Sequence, residues 1–258
     1  MKKAVRCIFS VAALAAVVLL ALLVRSGARA QRQLLTCNGI KVEYTDGYRF
    51  VTEEDVKTYL DEQYGAYIGQ RLDSIRLDKV EKALDPRSAV SSSQAYTTDD
   101  GLLHIRISQM EPAVRFQKGN CGFYADVSGN IFPLQDNYTP LVPVVDGDIP
   151  LDCPKGYKGA PRTDEEKAWM GGIMSMLSYM KKSKVWDKNI VQIHVDSDGD
   201  IVMIPRQGKE RFVFGSPFDA EAKFGRMEKY YRSILPEKGE GFYSTVYVQF
   251  DRQIVCKK

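Results

Sequence analysis

Apolar and polar residues alternate most regularly from Gly241 to Cys256, GFYSTVYVQFDRQIVC. Phe242, Val246, Val248 and Phe250 would share one face of a strand, and Tyr243, Thr245, Tyr247 and Gln249 the other. Period-two alternation rich in β-branched and aromatic residues marks a half-buried strand. The pattern predicts a closing strand over Phe242 to Asp251, followed only by Ile254, Val255, Cys256 and two lysines. Such a strand is expected at a sheet edge, where unpaired N–H and C=O groups can accept a partner's strand. The plainer alternative is the final strand of a core sheet.

Upstream, the patterning predicts a small domain from about Leu34 to Pro112. Ile40, Val42 and Tyr44 alternate with Lys41 and Glu43 as a strand. Thr52 before Glu53, Glu54 and Asp55 reads as an N-cap with acidic residues suited to the helix dipole. Val56, Tyr59, Leu60 and Tyr64 continue that helix, and Gly65 and Gly69 break it. Leu77, Val80 and Leu84 give a second helix, stopped at Asp85-Pro86. Val90 to Thr97 is a weaker strand, and Leu103, Ile105 and Ile107 a clear one. The order is β-α-α-β-β.

From Ala113 onward the chain reads as mostly strand. Phe123 to Asp126 and Ile131 to Pro133 form a hairpin across Gly129-Asn130. Pro140 to Gly147 is a strand or extended segment that its two prolines should push toward an edge. A helix from Thr163 or Asp164 to Ser183 has acids at its start and Lys181, Lys182 and Lys184 at its end. Trp169, Ile173, Met176, Leu177 and Met180 should form its buried stripe. Methionines in such a stripe serve an adaptable binding surface less often than a core. Ile190 to Val195 and Ile201 to Pro205 flank Asp198-Gly199, a hairpin signal. Arg211 to Gly215 is another strand, and Asp219 to about Leu235 a last helix.

The N-terminus sets the expected compartment. After the basic Met1 to Arg6, the run Ile8 to Val24 is apolar apart from Ser10. A spanning helix needs about 20 apolar residues, within roughly 17–25. Ala4 and Val5, with Arg6 snorkelling, bring the run into range. Ala28-Arg29-Ala30 fits a signal-peptidase pattern, but the run exceeds the roughly 7–15 residues of a signal core. An uncleaved anchor, with a cytoplasmic N-terminus and the bulk exported, is the expectation.

Composition narrows the function classes. The 258 residues allow one or two domains. With 44% hydrophobic and 27% charged residues the chain can bury ordinary cores, and a net charge of +3 gives no case for nucleic acid. Cys37, Cys121, Cys153 and Cys256 lie in the exported part, with no CxxC or Cys/His metal spacing. Their pairing, or burial as small apolar side chains, stays open. His104 and His194 fall at polar positions of strands, where a solvated or hydrogen-bonded histidine is ordinary. Ser91-Ser92-Ser93 lacks a nucleophile elbow. Asp196, Asp198 and Asp200 resemble a calcium loop, but Pro205 stands where its closing glutamate belongs. No catalytic residue, metal site, cofactor or small-molecule substrate is expected.

Short segments spread along the exported part carry a resemblance: Phe50-Val51-Thr52, Val80-Glu81-Lys82-Ala83-Leu84, Gly101 to Ile105, and Gln109 to Arg115. Tyr124-Ala125-Asp126, Val142 to Gly147, Phe214-Gly215, Ala222-Lys223-Phe224, Tyr243 to Phe250 and Gln253-Ile254-Val255 extend it. In this order, behind an anchor, they resemble the bacterial cell-division FtsQ (DivIB) family, of the Bacteroidetes type, with the β-α-α-β-β part similar to a POTRA module. The resemblance implies an α+β fold: a transmembrane anchor in residues 1–30, a POTRA domain in 31–112, and in 113–258 a mostly antiparallel β domain with two packed helices. It implies a non-enzymatic scaffold at the division septum of the inner membrane. There it gathers small coiled-coil proteins, FtsB-like and FtsL-like, that regulate septal peptidoglycan synthesis. The family's partner-binding edge maps onto Thr245, Val246, Tyr247, Val248, Gln249 and Phe250, then Gln253, Ile254 and Val255. The strand sequence departs from the proteobacterial pattern, so individual side-chain contacts do not transfer. Two other classes remain. A POTRA-type periplasmic chaperone or secretion subunit calls for a following β-barrel, which a remainder holding two helices does not resemble. An exported hydrolase calls for a nucleophile–base pair.

Overall fold

The computed structural model describes residues 17–19, 35–86, 89–152 and 156–258. The anchor expected at Ile8 to Val24 lies outside the described residues except for Val17–Leu19, which are helical and exposed. No helix among the described residues is long and apolar enough to cross a membrane. Two compact units emerge: one takes the residues up to Gly47 with Val51–Gln109, the other Tyr48–Phe50 with Met110–Lys258.

The first unit has the expected order. Strand β1 (Gly39–Tyr44) leads to helices α1 (Glu53–Gln63) and α2 (Leu77–Leu84), then to β2 (Val90–Thr97) and β3 (Leu102–Gln109). Thr52 caps α1 through a reciprocal box: its hydroxyl accepts from the Asp55 N–H, and the Asp55 carboxylate accepts from the Thr52 N–H. The sheet order is β1-β3-β2, with β1 parallel and β2 antiparallel to β3. Val56, Leu60, Val80 and Leu84 from the helices and Leu103, Ile105 and Ile107 from β3 are fully buried. These are the periodic positions of each element, so the 3.6 and 2.0 periods alone account for this core.

Among the described residues the second unit holds one sheet of nine strands in the order β12-β11-β10-β9-β8-β7-β4-β5-β6. They are β4 (Val114–Lys118), β5 (Cys121–Ala125), β6 (Ile131–Pro133), β7 (Val144–Gly147), β8 (Ile190–Val195), β9 (Ile201–Pro205), β10 (Arg211–Gly215), β11 (Thr245–Tyr247) and β12 (Val255–Lys257). Helix α3 (Asp164–Lys182) and helix α4 (Ala220–Lys229) bury Met170, Ile173, Met176 and Leu177, and Phe224 and Met227, in one cluster with Phe116, Val145, Ile193, Phe212, Phe214 and Val246. Trp169, expected in the buried stripe of α3, is only partly buried; Met170 takes the inner position.

Three expectations need correction. The Pro140–Gly147 segment is not at an edge: β7 lies between β4 and β8 and is parallel to both. Pro140 and Pro143 precede the strand, so they cost it no ladder donor, and the Pro143 carbonyl accepts from the Arg115 N–H at 2.9 Å. The last helix is not continuous. After α4 the turn Tyr230–Ile234 widens, with the Leu235 N–H reaching back five residues to the Tyr230 carbonyl, before the short helix α5 (Leu235–Lys238). Pro236 stands at the start of α5 and cannot continue the ladder, which accounts for the break. Finally, the long closing strand is two short ones, and this decides the geometry of the candidate site.

Candidate partner-binding edge

The strand expected over Phe242 to Asp251 holds only Thr245–Tyr247 in ladder pairing. It is not an edge. Strand β11 pairs in parallel with β10 on one side and antiparallel with β12 on the other. The backbone of Thr245, Val246 and Tyr247 is therefore covered from both sides, and the exposed edge passes to Val255–Lys257. The expectation failed because β12 is short and follows a turn, Phe250 to Arg252, with no Asn-Gly or Asp-Gly signal. Arg252 supplies the left-handed residue instead, at φ 56°.

Two backbone bonds fix which groups β12 shows to solvent. The Arg211 N–H donates to the Ser244 carbonyl, and the Val248 N–H to the Val213 carbonyl, both at 3.0 Å. In a parallel ladder this turns the Ser244 carbonyl, both backbone groups of Val246 and the Val248 N–H toward β10. The backbone groups of Thr245 and Tyr247 then face β12, where their partners are Lys257 and Val255. The Cys256 N–H and C=O between these partners point away from the sheet. The Lys257 carbonyl is seen facing inward, accepting from the Ser244 N–H at 2.9 Å.

The side chains divide as the pleat requires. Val246 and Val248 are fully buried, as expected of the inner face. Phe250 and Phe242, expected on that face, are 38% and 39% exposed, because both stand outside the ladder. Thr245, expected on the polar face, is buried, and its hydroxyl accepts from Arg211 Nε at 3.2 Å. Gln249 packs against Gly215, which takes φ 73°; a β-carbon there would lie 2.8 Å from Gln249 Cβ. Ile254 and Cys256 pack against the core cluster, and burial pushes the Cys256 thiol up from its ordinary range. Gln253 is exposed, and Val255 half-buried. Tyr247 and Phe250 stack with centroids 6.2 Å apart, and the Lys257 ammonium lies 4.8 Å over the Tyr247 ring. Arg226 Nε donates to the Val248 carbonyl at 2.7 Å and so pins the end of β11 to α4.

The opposite end of the sheet is closed. The Ile131 N–H donates to the Gly159 carbonyl at 2.7 Å, and the Gly159 N–H returns the bond at 2.9 Å. Pro133, the next outward residue of β6, has no N–H. In the first unit, β2 is closed too: Asp85 Oδ1 accepts from the Ser93 N–H and Glu81 Oε1 from the Ala95 N–H, both at 2.9 Å. Side-chain capping of this kind removes the donors an incoming strand needs.

The residues weighed for chemistry are engaged structurally. His104 is buried; its Nε2 lies 2.8 Å from Asp100 Oδ2 and 2.9 Å from Thr98 Oγ1, and its ring stacks on Tyr96. His194 Nδ1 lies 2.6 Å from Asp146 Oδ1. Asp196 Oδ1 accepts from the N–H groups of Asp198 and Asp200, both at 3.0 Å, so these aspartates build a hairpin turn. Among the described residues no group of three His, Cys, Asp or Glu side chains could hold a metal ion. Cys37 is buried in the first unit and Cys256 half-buried in the second, while Cys153 lies outside the described residues.

Comparison with known families assigns both units. A family model described as FtsQ/DivIB, C-terminal related, matches residues 111–257, and one described as a POTRA-like domain matches residues 35–108. No curated protein matches the chain.

Proposed function

The chain belongs to the FtsQ/DivIB C-terminal related family and carries a POTRA-like domain, and from that premise we propose that it is a divisome scaffold which recruits small coiled-coil division proteins by strand addition. Family membership suggests a role in cell division. The observation that carries the finer reading is the open edge of β12, with the Cys256 N–H and C=O directed away from the sheet. An extended segment of an FtsB-like or FtsL-like partner would continue the sheet there, supplying about 0.5–1.5 kcal/mol net per backbone bond. Val255 and Lys257, beside Tyr247, give that segment side chains to pack against on one face. Of the expected edge, Thr245–Tyr247 is covered by β12, so the proposed location centres on Val255–Lys257, of which Val255 was among the expected residues.

The proposed setting is the inner membrane at the septum. A single pass through Ile8 to Val24 leaves the N-terminus cytoplasmic and the two folded units in the periplasm, and recruitment helps regulate septal peptidoglycan synthesis. The long apolar run supports this. The scaffold reading assigns no reaction to the chain. A fluorescent fusion tests it: midcell rings in dividing cells are expected, and a uniform peripheral halo throughout the cycle contradicts the reading.

A further inference from the structure

A groove of about 1210 Å³ runs past the amino ends of the parallel strands β4, β7 and β8 and along the second half of α3. It is separated from β12 by β9, β10 and β11. Part of its apolar lining is exposed: Leu141 is 105% exposed, Val191 51% and Val144 45%, while on α3 the partly buried Met174 and the buried Leu177 form the wall. Separate apolar side chains at a surface are ordinary, but here they line one concavity.

From this we propose that the groove is a second protein-docking site, which takes an acidic amphipathic helix of a partner. Two observations select that occupant. First, β4, β7 and β8 are each paired on both sides, so no backbone edge is open within the groove. An occupant must satisfy its own backbone, as a helix does, whereas an added strand would leave its N–H and C=O groups without partners there. A helix about 10–12 Å across fills this volume over roughly two to three turns.

Second, the rim is cationic. Lys181, Lys188 and Arg206 outnumber Asp187 and Glu111 along the walls, and Lys182 and Lys184 stand just beyond. Among the described residues none of the three lining cations has an ion-pair partner. Arg206 is already positioned, with Nε donating to the Lys188 carbonyl at 2.9 Å, so its remaining donors are presented with little further ordering. Carboxylates on the polar flank of a docked helix would meet these groups, while apolar residues at i, i+3, i+4 and i+7 would cover Leu141, Val144, Val191 and Met174. Methionine in the wall accommodates side chains of differing shape.

The test is selection of a phage-displayed library of random 16-residue peptides on the full chain, with anionic phospholipid vesicles as a parallel arm. Enriched peptides should be helical on binding and carry Asp or Glu beside an apolar stripe. Their affinity should fall at least tenfold for Leu141→Glu and for Val191→Glu, and as far for the Lys181→Glu, Lys188→Glu double variant. These side chains are exposed, so matching melting curves should accompany the loss. Enrichment of basic or extended peptides, equal binding by the variants, or no enrichment overturns the proposal. Vesicle binding that the same substitutions abolish, without peptide binding, would assign the groove to a membrane surface and overturn it equally.

Discussion

The Lys257 ammonium lies 4.8 Å over the Tyr247 ring and donates to its hydroxyl at 3.1 Å, clasping β12 to β11 through side chains as well as backbone. A strand of three residues has few ladder bonds to hold it, so this clasp matters more than it would in a longer hairpin. Tyr247→Ala should cost about 1 kcal/mol, the scale of an exposed cation–π contact with its cross-strand packing. Tyr247→Phe keeps the ring and should cost less than half as much. Denaturant unfolding checks both, and hydrogen exchange of the Val255 and Lys257 amides should quicken in the alanine variant.

Gly147 closes the parallel pair β7–β8 at φ 96°, and a β-carbon there would lie 2.1 Å from the Val195 carbonyl oxygen. The obstacle is backbone, which cannot swing aside, and the φ disfavours any L side chain. Gly147→Ala should destabilise the second unit by about 3 kcal/mol or more, read as a lower urea midpoint with an unchanged slope.

Glu166 gives the second unit an acid sensitivity. It is buried, and its carboxylate accepts from three backbone N–H groups: Asp152 at 2.6 Å, Arg162 at 2.7 Å and Thr163 at 3.1 Å. The Asp152 bond above all, helped by the other two, holds its pKa below the ordinary carboxylate value against burial. A depressed folded pKa contributes stability that is full above the unfolded value of about 4.3 and fades as pH falls through the folded one. Glu166→Ala should therefore cost about 2 kcal/mol at pH 7, with donors left unpaired, and progressively less on acidification. Melting curves from pH 7 down to pH 3 should converge for the two proteins.

Much of this fold was legible along the chain. Thr52 and Thr163 announce α1 and α3 because a threonine followed by acids satisfies helix-end donors locally. The β-α-α-β-β order and the hairpin at Asp198-Gly199 rest equally on neighbours in sequence. What failed depends on distant pairing. The position of β7 in the sheet follows from parallel partners, Arg115↔Val144 and Val145↔Ile193, that no local pattern encodes. The end of the ladder after Tyr247 follows from Arg226 seizing the Val248 carbonyl and Gln249 seating on Gly215, both long-range contacts. The apolar alternation ran on to Phe250, but the pairing did not. The groove joins the Leu141 loop, α3 and β8, which are far apart in sequence; of its wall on α3 the apolar stripe had marked Leu177 and Met180, but not Met174.

The central claim is that a partner's strand adds to the outer edge of β12, and proline substitution on alternate residues tests it most directly. Cys256→Pro removes an N–H that faces away from β11, a position where an edge strand tolerates proline. Val255→Pro removes one that faces Tyr247 and should loosen the hairpin itself. Binding of FtsB-like and FtsL-like partners to the full chain is measured beside melting temperature. The Cys256→Pro protein should melt close to the wild type yet bind at least tenfold more weakly, a loss of about 1.4 kcal/mol or more. The Val255→Pro protein should lose both stability and binding. A Cys256→Pro protein that is folded and binds its partners with wild-type affinity would contradict strand addition at β12.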